Sequence, residues 1–194
     1  MPIALAGKRI RLPYSYRRLL RSMSLASALA STPAFAGPLA WDCDTPAGRF
    51  SQIEAKATGA AIITGEFKGV EGRRDKRWAP TVFLQMKTGD GALILGLSFV
   101  VHPGHVESMT VQVVRTESGE RKTATLGEVP FGEAIPFRVL FDGAGEVEIS
   151  AGALKARTRV AATPATSLSA SCSTGQFTFS NLTFSEREVD PPPS

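Results

Sequence analysis

Histidine, cysteine, tryptophan and tyrosine are scarce in this chain, with two of each in 194 residues. Both histidines fall in one stretch, "HPGH" (102–105), so a histidine-based metal centre has only that place to sit. No apolar run beyond the first 36 residues reaches the ~18 residues that a membrane-spanning helix needs. Nor does any stretch of about 12 residues repeat its apolar side chains every 3.6 positions, which argues against a helical fold. "TGDGA" (88–92) and "DGAG" (142–145) are rich in glycine, but neither runs into a helix or a Lys-Ser/Thr pair. No phosphate loop and no cofactor is implied.

Acidic residues are missing from the first 36 positions, which carry Lys8, Arg9, Arg11, Arg17, Arg18 and Arg21. A short apolar run, "MSLASALA" (23–30), and a small-x-small site, "AFA" (34–36), follow. This order of basic, apolar and small residues is that of a secretory signal peptide. "RRLLR" (17–21) also has the look of a twin-arginine export signal, although Leu20 stands where such signals carry Phe. The whole chain has 22 basic and 18 acidic residues and a net charge of +4. Setting aside six bases and no acid leaves 16 against 18. The basic character therefore belongs to the leader, and a nucleic-acid or anionic-membrane role loses its compositional support. The remaining residues suit one domain with a sizeable core, 37–185, followed by a charged, Pro-rich tail over 186–194 that reads as disordered.

Cys43 and Cys172 lie near opposite ends of that domain. An exported chain favours one disulfide between them, and two buried free thiols is the competing reading. "AWDC" lacks the small residues that lipid attachment at Cys43 requires.

What the domain does have is strand signals every 8 to 14 residues. "AAIITGEF" (60–67), "TVFLQM" (81–86), "LILGLSFVV" (93–101), "MTVQVVR" (109–115), "KTATLGEV" (122–129) and "GQFTFSNLTF" (175–184) are β-branched, aromatic or alternating. Leu93, Leu95, Leu97, Phe99 and Val101 share one face. Turns are marked at Asp90-Gly91 and in "ESGE" (117–120), and a bulge or turn near Asn181. Gly37–Phe50 reads as an entry segment carrying Trp41 and Cys43. The clearest piece is "PFRVLFDGAGEVEISAG" (136–152), a hairpin that buries Phe137, Val139 and Phe141 on one arm and Val147 and Ile149 on the other. A turn at Ala151-Gly152 would set Glu148 opposite Lys155 and Glu146 opposite Arg157 on the polar face. The fold class is all-β, a sandwich or barrel.

"PFRVLFDGAGEVEISAGALKARTRV" (136–160) resembles the central hairpins of laminin-G and concanavalin A-like domains, and "SLSASCSTGQFTFSNLTF" (167–184) resembles their closing strands. The resemblance implies a two-sheet antiparallel jelly-roll sandwich in which a Gly-centred turn precedes the last Phe-rich strand. It also implies that the first and last strands are neighbours, bringing Cys43 and Cys172 together. The family holds glycan-binding modules, glycoside hydrolases and polysaccharide lyases, and the fold does not choose among them.

Five groups of residues are candidates for chemistry. Glycoside hydrolysis uses two carboxylates about 5 to 9 Å apart. Glu146 and Glu148 share a strand face, but the Glu-x-Asp-x-Glu of related glucanases is incomplete here and both have basic partners in the expected register. A lyase of the alginate type would want a Gln-x-His element near Arg157 and Arg159, and none is present. His102 and His105 flank a Pro-Gly turn and would need Glu107 and more to hold a metal. Asp42 and Asp44 alone do not make a calcium site. The densest stretch is "EGRRDKRWAP" (71–80): Trp78 could stack on a sugar while Arg73, Arg74 and Arg77 grip a carboxylate or sulfate. The alternative is that Trp78 packs inward, a reading favoured by Ala79-Pro80 leading straight into the next strand. The expected function is an exported, non-catalytic module that binds a glycan. A divergent hydrolase or lyase and a structural or protein-interaction domain are the alternatives.

Overall fold

The computed structural model describes residues 37–89, 91–102 and 106–186. The leader, Asp90, His105 and all of the tail but Glu186 lie outside the described residues. Within them there are ten strands and no helix. β1 is Leu39–Lys56, β2 Ala61–Gly72, β3 Thr81–Thr88, β4 Leu93–Val100 and β5 Ser108–Glu117. β6 is Glu120–Pro130, β7 Ala134–Phe141, β8 Glu146–Ala151, β9 Leu154–Arg159 and β10 Ala165–Glu186. All pairings are antiparallel, and five of them join consecutive strands through short connections.

Two layers arise because β10 belongs to both. From Ala165 to Ser173 it pairs with β3, continuing a sheet through β4, β5 and β6. From Gly175 to Glu186 it pairs with β2, continuing a second sheet through β7, β8 and β9. β1 follows it along the other edge in both, with Phe50–Lys56 in the first layer and Leu39–Thr45 in the second. The crossing point is Thr174, buried and held at φ 56. There the register of β1 also breaks, between Thr45 and Phe50. The Thr45 hydroxyl donates to the Gly175 carbonyl at 2.9 Å, and the Thr174 hydroxyl accepts the Gly48 N–H at 3.3 Å, so both strands bend together. Cys43, in the second layer, is bonded to Cys172, in the first, across this bend.

Two expectations change. Gly37–Phe50 is not a loose entry segment, since β1 begins at Leu39. Gly175 does not turn the chain before the closing strand, because β10 runs through it from Ala165. The serines of 167–173 have weak strand propensity, and pairing with both β1 and β3 overrides it, while Pro46 and Gly48 fall in the register break of β1. The bulge near Asn181 is present, with Asn181 at φ 52 and a register shift between Ser180 and Thr183.

The core lies between the layers. Leu93, Leu95, Leu97 and Phe99 of β4 face it, as do Phe137, Val139, Phe141, Val147 and Ile149 of the β7–β8 hairpin. That hairpin closes as read: Asp142 Oδ1 accepts the N–H groups of Ala144 and Glu146, each at 2.8 Å, an Asx-type turn. The next hairpin differs by two residues. Ala151 pairs with Leu154, so the turn is Gly152-Ala153. Gly152, at φ 57, takes the first position of a two-residue turn, where only glycine is unstrained, and its N–H donates to the Pro136 carbonyl at 2.8 Å. A slip of two preserves the faces but changes the partners. Glu148 meets Arg157, Glu146 meets Arg159 and Lys155 meets Ser150.

β4 approaches β3 most closely at Gly96, where a Cβ would fall on the Leu84 carbonyl oxygen. Gly96→Ala is expected to destabilise by about 1–3 kcal/mol, because backbone rather than a flexible side chain must give way. Thermal unfolding followed by circular dichroism checks this, with a fall of several degrees expected.

Candidate functional site

At one end of the sandwich, the segment between β2 and β3 and residues 101, 102, 106 and 131 enclose an open cleft of about 710 Å³. Trp78 lines it and is 61% exposed, so the inward-packing reading does not hold. The physical reason is local. Asp75 Oδ1 accepts the N–H groups of Arg77 (2.8 Å) and Trp78 (3.0 Å), which curls the segment before Pro80 and leaves the indole outside. Strand β3 starts only at Thr81. The floor is apolar, from Val101, Val106 and Phe131, with Phe131 packed edge-on against Phe177 at 6.3 Å. Val106 and Phe131 carry no motif, and only the folded chain brings them beside Trp78.

The cations of this segment divide into two kinds. Arg73 bonds Asp44 and the Thr45 carbonyl through Nη1 and Glu71 through Nε and Nη2, and is only partly exposed. The Glu71 and Asp44 carboxylates raise its pKa above the ordinary arginine value, so it stays charged at any working pH. Arg73 thus ties the segment to β1 and lines the cleft with its guanidinium already engaged by carboxylates. Arg74, Lys76 and Arg77 are exposed, and none forms an ion pair among the described residues. Together with Trp78 they make a platform with a positive rim.

The other candidates lie elsewhere. Glu146 and Glu148 stand on the outer face of β8, where Glu148 bonds Arg157 Nη2 at 2.7 Å. The cross-strand partnership expected for Glu148 is real, but with Arg157 in place of Lys155. His102 is exposed and lines the Trp78 cleft, while His105 is outside the described residues. Asp44 is occupied by Arg73, and Asp42 accepts from Gln176 Nε2 at 3.1 Å. No cluster of three or more His, Cys, Asp or Glu suited to a metal occurs among the described residues, and no helix there is long and apolar enough to cross a membrane.

No family model matches the chain, and no curated protein does. Solved structures share its fold. An alginate lyase from Alteromonas sp. 272 is 14% identical, with 69% of this chain and 77% of that one covered and a TM-score of 0.52. An alginate lyase from Zobellia galactanivorans is 13% identical over 76% and 77%, with a TM-score of 0.53. A carbohydrate-binding module from Bacillus subtilis is 12% identical over 75% and 86%, with a TM-score of 0.50. The architecture they share with this chain is an antiparallel jelly-roll β-sandwich.

Proposed function

We propose that this protein is an exported, non-catalytic module that binds a glycan through the Trp78 cleft. One observation carries the reading: an indole 61% exposed beside an apolar surface, rimmed by Arg74, Lys76 and Arg77, which form no ion pair among the described residues. Indole faces stack on the apolar faces of sugar rings, and Arg and Lys donate to their hydroxyl or acidic substituents. The disulfide and the leader-like first 36 residues support export. The alginate lyases that share the fold support an enzyme equally well, with Glu146 and Glu148 as the residues to examine. A structural or protein-interaction role is the third reading.

Trp78→Ala is expected to weaken binding on a glycan array tenfold or more. Its melting temperature should stay within the small range of a surface substitution. Turnover of a polysaccharide, abolished by Glu148→Gln, would replace this reading with the enzymatic one. No glycan signal, together with a partner recovered by crosslinking in the exported compartment, would favour the third.

A further inference from the structure

A second, smaller pocket of about 230 Å³ opens on the outer face of the second layer, over β7, β8 and β9. The cross-strand rows there differ. One row sets Glu148 between Leu140 and Arg157, and its charges meet in the 2.7 Å ion pair. The adjacent row sets Ser150 between Arg138 and Lys155. That row continues to Thr64 of β2 opposite Arg138, so it holds two cations and two hydroxyls and no carboxylate, with Glu148 in the adjacent row. Among the described residues the side chains of Arg138, Ser150 and Lys155 form no ion pair, and no side-chain hydrogen bond is assigned to them. Neither cation has a carboxylate directly opposite it in the ladder, where an opposite charge would be favourable. Strands lie about 4.8 Å apart, which puts the backbones of β7 and β9 roughly 10 Å from each other. Arginine and lysine side chains are long enough to close over Ser150 from both sides.

We propose that Arg138, Ser150 and Lys155 form a binding site for a single oxyanion, a carboxylate or a sulfate group, independent of the Trp78 cleft. Guanidinium, ammonium and hydroxyl donors converge on one small pocket, and charge-assisted bonds from the first two give such a group its strongest partners. Glu148 and Arg157 also border the pocket as an ion pair, so Glu148 opposes an anion there by repulsion and engages the Arg157 guanidinium.

The test uses the full chain with its disulfide intact and follows backbone amide signals by NMR. Sodium sulfate and sodium galacturonate are titrated separately, each against sodium chloride at matched ionic strength. Saturable shifts at Ser150 and Ala151 are expected in the millimolar range. Arg138→Gln and Lys155→Gln should each weaken binding several-fold, and Glu148→Gln should tighten it. Trp78→Ala should leave it unchanged, which separates this site from the proposed glycan cleft. A response to sulfate alone would assign the site to a free inorganic anion, and a response to galacturonate alone to the acid group of a sugar; either supports it. Shifts that chloride reproduces, or that persist in Arg138→Gln, would overturn the proposal.

Discussion

Replacing Cys43 and Cys172 together by alanine is expected to lower the melting temperature by about 10 °C. The bond links positions 129 residues apart. Opening a loop of that size releases chain entropy worth about 4–5 kcal/mol in the unfolded state, and losses of 2–5 kcal/mol are usual when a native disulfide is removed. At this chain length each kcal/mol shifts the midpoint by about 2–4 °C. The local setting argues for a value well above zero. Both sulfurs are buried at the place where β1 and β10 bend from one layer to the other, where the Thr45 and Thr174 hydroxyls and the Arg73 guanidinium also bond. Reducing the unaltered protein should reproduce the same shift. A change under 2 °C in both experiments would mean that the hydrogen-bonded bend holds the layers without the bond.

Phe67→Ala should be as damaging, by about 3–5 kcal/mol. Phe67 is 1% exposed and sits on β2, yet its ring meets Phe99 of β4 edge-on across the core at 4.5 Å. It also lies 6.0 Å from Phe179 and 6.1 Å from Phe137. Phe179 in turn stacks on Trp41 at 4.9 Å. Removing the ring opens a void between the layers that neither sheet can collapse into, because each is fixed by its own ladder. Phe67→Leu, which fills most of the volume, should cost less than about 1.5 kcal/mol. Urea unfolding measures both, and an unchanged slope would show that the loss is in the folded state.

The sequence was most legible where alternation and turn chemistry agreed. Residues 136–151 showed their face, their turn and their buried side chains because Asp142-Gly143 fixes the loop and the apolar residues come every second position. Its neighbour was legible only in part. Charge complementarity fitted two registers equally, and glycine at the first turn position decided between them. β1 and the first half of β10 were hidden because Pro46, Gly48 and four alternate serines read as loop, the serines until a second strand is beside them. At the site, the exposed indole and the exposed arginines were visible as residue types. The engagement of Arg73 with Asp44 and Glu71 was not, since the 29 positions between Arg73 and Asp44 carry no sign of their meeting. The row of Arg138, Ser150 and Lys155 was likewise invisible, because it exists only in the register that the chain adopts.

The double membership of β10 also dictates when the chain can acquire its shape. A polypeptide ending before Ala165 has β1, β2 and β3 but lacks the strand to which all three hydrogen-bond. Neither layer can close, and the N-terminal cysteine has no mate. Non-local pairing of this kind makes assembly late and slow. The ladders β3–β6 and β2, β7–β9 each pair without β10, so what the final strand adds is the seam that joins them.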